Sequence, residues 1–183
     1  MHNGHVDVVT PRNRHREFFR KRRVGLAVLA LCGVFVSSFF SGNAIASEMD
    51  LLVNGKAIHF NVPESKHLNE KNWGLGFQYD GDLVNQKWVP FVTVSGFIDS
   101  NKNPSYYAGG GMLRRYQGES LHFDIGAIGF VMTRKGYKND QPFLGVLPAF
   151  SVGGKRVSVN MTYIPKVEPK AVPLVFFQLK IRL

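Results

Sequence analysis

The chain has 183 residues, with 23 Lys and Arg against 13 Asp and Glu, a formal net charge of +10 and a single cysteine. That length suits one domain with a real core. Seven of the 23 cations precede Val24, and the rest (Lys66, Lys71, Arg134, Lys135, Lys138, Lys155 and Arg156 among them) are scattered through turns and strand ends. They form no basic helix or aromatic-interleaved patch, which speaks against a nucleic-acid partner.

Met1 to Arg23 is polar and ends in a crowd of cations, whereas Val24 to Ala46 has no charged residue and closes on Ser41-Gly42-Asn43-Ala44-Ile45-Ala46-Ser47. A basic start, an apolar run and an Ala-x-Ala site predict a secretory signal peptide over residues 1–46, cleaved after Ala46. The rival is an uncleaved anchor helix, since an uncharged run of this length can span a bilayer. Against a lipoprotein signal, the residue before Cys32 is Leu31, which is not small. Cleavage leaves residues 47–183 as one domain with no thiol and so no disulfide.

From Asp50 onward the pattern is strands and turns with no sustained helical period. Strands are predicted at Leu51–Phe60, Trp73–Tyr79, Trp88–Ile98, Tyr106–Tyr116, Leu121–Met132, Phe143–Val152, Arg156–Ile164 and Leu174–Leu183. The number is even, and several strands have the 9–11 residues a tilted strand needs to cross a bilayer. In the last strand Val175, Phe177, Leu179, Ile181 and Leu183 alternate with Phe176, Gln178, Lys180 and Arg182, an apolar face against a mostly polar one. Together these features predict an all-β fold, an eight-stranded antiparallel up-and-down barrel of the outer membrane. Trp73, Tyr79, Trp88, Tyr106, Tyr116 and Tyr163 lie near strand ends, where interfacial aromatics belong. The alternative is a soluble periplasmic barrel or sandwich around an apolar pocket.

Other strands alternate less. Trp88–Ile98 carries apolar or small residues on both faces, so the interior is expected to be partly apolar, with glycines opening a slot for a hydrocarbon chain or simply allowing tight packing. Pro148 and Pro165 sit on neighbouring strands, and proline cannot donate to a sheet ladder. They predict a seam with few cross-strand bonds, through which a lipid tail can enter sideways.

Asp99 and Ser100 end the third strand at a hairpin rim, before Asn101-Lys102-Asn103-Pro104. Asp and Ser are ordinary turn residues, and turn chemistry alone accounts for them as well as function does. No metal-ligand cluster, phosphate-binding glycine loop or nucleotide motif stands out, so neither metal nor cofactor is expected.

Three stretches resemble the lipid A palmitoyltransferases of the Gram-negative outer membrane, the PagP family. They are Phe97-Ile98-Asp99-Ser100-Asn101-Lys102 with Ala108-Gly109-Gly110-Gly111, Leu147-Pro148-Ala149-Phe150-Ser151-Val152-Gly153, and Asn160-Met161-Thr162-Tyr163-Ile164-Pro165. A weaker one is Asn69-Glu70-Lys71-Asn72-Trp73-Gly74-Leu75-Gly76-Phe77. The resemblance implies an enzyme that moves a palmitoyl chain from a phospholipid donor to lipid A or a related glycolipid, acting as a monomer in the outer membrane of a Gram-negative bacterium. It also implies that Asp99, Ser100 and His59 are the catalytic residues, that Gly111 lies on the floor of the acyl-chain pocket, and that Pro148 and Pro165 flank a lateral lipid gate.

The residue types fit acyl transfer. Histidine serves as base to the attacking hydroxyl, a carboxylate orients it, and a hydroxyl or backbone N–H holds the oxyanion. His59 is expected as base and Asp99 as its partner, with Ser100 either nucleophile or hydrogen-bonding group. His67 is the alternative histidine, because the connection from His59 to Asn69 is shorter than the family's. The family's amphipathic helix before the barrel has no counterpart once residues 1–46 are removed. A non-enzymatic lipid-binding barrel and a lipid A deacylase are the other readings of the same rim.

Overall fold

The alternation read from the sequence becomes eight strands in a computed structural model that describes residues 48–63, 67–166 and 172–183. The signal peptide expected over 1–46 lies outside the described residues. The strands are β1 (Glu48–His59), β2 (Lys71–Asp80), β3 (Trp88–Ile98), β4 (Pro104–Gln117), β5 (His122–Arg134), β6 (Phe143–Gly153), β7 (Val157–Ile164) and β8 (Leu174–Arg182). Each pairs antiparallel with its sequence neighbours and β8 returns to β1, closing the barrel. β1, β3, β5 and β7 end at one end of the barrel, here the rim, and β2, β4 and β6 end at the other, where β1 begins and β8 finishes.

The two faces are inverted relative to a water-soluble protein. Outward-facing Trp73, Leu75, Phe77, Val94, Leu144 and Val146 are exposed, whereas Asp50, Asn54, Gln78, Asp80, Asp124, Gln178 and Lys180 are buried inside. An apolar exterior around a polar interior is stable where lipid surrounds the barrel, so the soluble alternative does not hold. Trp73, Tyr106 and Tyr163 are exposed near the rim, and Trp88 and Tyr116 near the opposite end, as two interfacial belts require.

One irregularity re-aims β1. Asp50, Leu52 and Asn54 point inward, the register then slips between Asn54 and Lys56, and Ala57 points inward next. This one-residue bulge, with Gly55 at its centre, exchanges the faces of everything after it. It therefore turns Lys56 and Ile58 outward and His59 inward.

The interior is divided lengthwise. Phe91, Leu113, Ile128 and Ala149 form an apolar cluster on the β3–β6 wall, with Tyr107, Phe130 and Leu147 packed on it. Phe97 extends this lane toward the rim, its ring 5.1 Å from Phe176 and 6.3 Å from Tyr107. The opposing wall of β8, β1 and β2 is polar. Gln178 Nε2 donates to Asn54 Oδ1 at 2.6 Å and, across the lumen, to Tyr107 Oη at 2.9 Å, while Asn54 Nδ2 donates to Ser95 Oγ at 2.7 Å. Farther from the rim the buried charges are paired. Lys180 Nζ donates to Asp80 at 2.8 Å, Arg182 Nε to Asp50 at 2.9 Å, and Arg115 grips its register partner Asp124 through contacts of 3.0 and 2.8 Å.

The wall is incomplete at one place. β5 and β6 share eleven register pairs, but β6 and β7 share five, from Ala149↔Thr162 to Gly153↔Ser158. Pro148 is the first residue of β6 beyond the last pair and Pro165 follows the end of β7. A seam thus runs from Pro148 to the rim, between the two prolines from which it was expected. Leu144 and Val146 flank it on the outside, 83% and 76% exposed.

Candidate active site at the barrel rim

The rim site is built by the turn that follows β3. Asp99 Oδ1 accepts from the amides of Asn101 at 2.8 Å and Asn103 at 2.9 Å, and the Asp99 amide donates to Asn103 O at 2.8 Å. This is the local bonding that makes Asp a turn residue. The other carboxylate oxygen receives Arg134 Nε at 2.6 Å and Ser105 Oγ at 3.4 Å. Arg134 reaches it because Ser105 and Arg134 are register partners on β4 and β5.

A second segment straps this turn from the side. The Asn69 amide donates to Ser100 O at 2.9 Å, Asn69 Nδ2 to Asp99 O at 3.2 Å, and Asn72 Nδ2 to Ile98 O at 2.8 Å. Eight backbone and side-chain bonds thus hold residues 98–103 before any function is assigned, and Ser100 stands at the top of the turn. Its hydroxyl lies 2.8 Å from His59 Nε2. To serve as base to this hydroxyl Nε2 must be its acceptor, and in that tautomer the neutral imidazole carries its own proton on Nδ1.

The His59 side chain is 1% exposed, and its Nδ1 is buried with no hydrogen-bond partner among the described residues. The nearest carboxylate oxygen in ion-pair range is Glu70 Oε1, at 4.0 Å. His59 lies beyond the lipid-facing band, since Lys56, facing outward three residues earlier with a side chain 61% exposed, marks that band's edge. Burial pushes the imidazole pKa below its ordinary 6.5; Glu70 opposes the shift and Arg134 adds to it. A ring held neutral near pH 7 is a proton acceptor, so the pair can take a proton from a hydroxyl at the head of an apolar lane.

The other expected residues fall as follows. Asp99 is beside Ser100 in sequence but not beside His59, and no hydrogen bond or ion pair joins the two among the described residues. The expected orienting role of Asp99 is therefore corrected: closure of the turn aims its carboxylate at the turn's own amides, and Arg134 occupies what remains. His67 is exposed in the connection after β1 and makes no hydrogen bond to the turn among the described residues. Gly111 lies in the apolar lane between its register partners Phe91 and Ile128. A Cβ there would meet Ala127 O at 2.0 Å, so the glycine lets β4 and β5 approach closely. His122 lies at the opposite end, 3.7 Å from Asp124 and 3.5 Å from Ser158 Oγ.

Sequence reasoning missed Arg134, Asn72 and Glu70 as parts of this site. Asn72 and Glu70 stood inside the Asn-Glu-x-x-Trp stretch, whose likeness was visible but whose roles were not. Arg134 looked like one of many scattered cations, and only the β4–β5 register brings it to Asp99.

A family model described as "Antimicrobial peptide resistance and lipid A acylation protein PagP" matches residues 44–180. Among solved structures, the chain is similar to Neisserial surface protein A (NspA), with 12% identity, a TM-score of 0.48 and coverage of 75% of this chain and 95% of that one. It is also similar to Ail, the attachment invasion locus protein of Yersinia pestis, with 10% identity, a TM-score of 0.43 and coverage of 75% and 97%. No curated protein matches the chain in sequence.

Proposed function

Because the chain belongs to the PagP family, a family of lipid A acylation proteins, we propose that it is an acyltransferase of the Gram-negative outer membrane. It moves a palmitoyl-like chain from a glycerophospholipid to lipid A or a related glycolipid. The observation that carries this reading is the 2.8 Å contact between Ser100 Oγ and the buried, neutral-leaning His59 Nε2. A hydroxyl activated by a histidine at the mouth of an apolar lane is the arrangement acyl transfer needs.

In this reading His59 accepts a proton from the attacking hydroxyl, either that of Ser100 or that of the acceptor. The oxygen then adds to the donor's ester carbonyl, and collapse of the tetrahedral intermediate expels the lysophospholipid alkoxide, which takes the proton back from His59. Where Ser100 is the attacking group, the acceptor hydroxyl, deprotonated by His59 in turn, then attacks the Ser100 ester, and the Ser100 alkoxide leaves with that proton as the chain passes to the glycolipid. Asp99 acts on Ser100 by fixing the turn. The donor's chain enters through the seam between Pro148 and Pro165 and lies along the β3–β6 wall. Gly111 is six residues down β4 from Ser105, about 20 Å along the strand at the usual rise and about 15 Å in depth at the usual tilt, and serves as the floor of the slot. The rim, which carries the three longest connections, faces outward, since outer-membrane barrels keep their short turns on the periplasmic side. One chain closes the ring, so the barrel acts as a monomer, and it reaches the membrane after removal of residues 1–46.

The test is mass spectrometry of lipid A from cells that lack acyl transfer, carrying no protein, this protein or its Ser100→Ala variant. A new acylated species that disappears in the variant is expected. Unchanged lipid A, with the wild-type barrel folded in the outer membrane, would sink the assignment. That outcome would favour the second reading, a non-enzymatic lipid-binding barrel, for which the engagement of Asp99 with Arg134 at 2.6 Å speaks.

A further inference from the structure

The His59–Ser100 pair leaves one proton unaccounted for. With Nε2 accepting from Ser100, as a base must, the ring proton is on Nδ1, which is buried and has no hydrogen-bond partner among the described residues. A buried donor without an acceptor is costly, and the cost rises when the ring gains a second proton and a full charge. The triad logic of a hydroxyl, a histidine and a third group that orients it therefore needs a third group here. Asp99 is committed to Asn101, Asn103, Ser105 and Arg134.

Among the described residues, the groups around the imidazole leave one carboxylate. Glu70 Oε1 is 4.0 Å from Nδ1, and its other oxygen is 3.9 Å from Lys56 Nζ. The Glu70 carbonyl accepts from the Ala57 amide at 2.9 Å, which fixes its backbone against β1 two residues before His59. Its side chain is half exposed and can rotate, and a shift of about 1 Å brings it within hydrogen-bond range. The opposing charge, Arg134, is itself held by Asp99, so Glu70 is the group able to offset a charge developing on His59.

We propose that Glu70 is the positioning residue of His59, its carboxylate closing on Nδ1–H as the ring is protonated, so that it fixes the tautomer and stabilises the imidazolium. This rests on the reading of His59 as the base in acyl transfer. The sequence supports the placement, because the same Asn69-Glu70 pair straps the serine turn with one residue and approaches the histidine with the next.

The experiment uses the purified barrel in detergent micelles, as wild type, Glu70→Gln and Glu70→Asp. Transfer from a palmitoyl phosphatidylcholine to lipid A is followed across pH, and the ring nitrogens of His59 are titrated by 15N NMR. In Glu70→Gln, kcat is expected to fall by about tenfold, less than the 10²–10⁴-fold that a general base supplies, with KM for the phospholipid within about twofold. Loss of the negative charge should move the His59 midpoint and the acidic limb of kcat to lower pH. Glu70→Asp, which keeps the charge, should lie between wild type and Glu70→Gln in both. An unmoved His59 midpoint together with unchanged kcat in Glu70→Gln would overturn the assignment. If the wild type transfers no acyl chain, the functional reading fails by itself, while the midpoint and the Nδ1–H tautomer still decide whether Glu70 acts on His59.

Discussion

Replacing Lys180 with methionine tests whether charge balance holds the interior together. Lys180 is buried, with Nζ 2.8 Å from Asp80 Oδ2 and 3.7 Å from Asp50 Oδ2, and Arg182 Nε is 2.9 Å from Asp50 Oδ1. Two carboxylates thus face two cations in a neutral group. Methionine keeps the apolar stem but leaves that group one negative charge in surplus, with Asp80 retaining its 2.6 Å bond from Gln78. Removing one partner of a buried pair costs about 3–5 kcal/mol. The bond from Gln78 and the neighbouring Arg182 put the expected value at the low end, about 3 kcal/mol. Urea unfolding of the vesicle-inserted barrel reads this through Trp73 and Trp88, the chain's two tryptophans, which pass from the membrane interface to water. The midpoint should drop with little change in slope, and Lys180→Met with Asp80→Asn should regain most of the loss by removing the stranded charge. A single variant within about 1 kcal/mol of wild type, or a double variant no better than the single, would refute the reasoning.

His59→Asn should lower transfer by about 10²–10⁴-fold. In the wild type, burial holds the His59 pKa below 6.5, so the neutral base persists through that pH. The midpoint of the acidic limb in the kcat profile should therefore lie below 6.5, and one at or above 6.5 would contradict this. Gly111→Val places a Cβ 2.0 Å from Ala127 O, an overpacking expected to cost about 1–3 kcal/mol. An unchanged unfolding midpoint in that variant would show that β4 and β5 separate freely.

Much of this architecture was legible in the chain itself. All eight strands were predicted, and their ends differ from the observed ones by at most three residues. Inward and outward faces follow the period of two, most plainly in β8, where Gln178 and Lys180 are buried and Leu179 is exposed. The seam was also readable, because a proline's missing N–H is a property of the residue wherever it stands. Asp99 and Ser100 were found at a rim because turn residues after an alternating run mark the end of a strand.

The site's wiring was not legible, for two physical reasons. The period of two carries no trace of a bulge, and plain alternation from Asn54 would aim His59 at the outside; the slip at Gly55 turns it to Ser100. Partner choice depends on register between strands and on closure of the turns, which brings Arg134 to Asp99 and leaves Glu70 facing His59. The sequence by itself thus determined the strands, their faces and the weak seam, since these depend on one residue's own backbone and polarity. Only the closed barrel decided which carboxylate meets which cation or imidazole, because that is fixed by register and by the space left after the turn has satisfied its own amides.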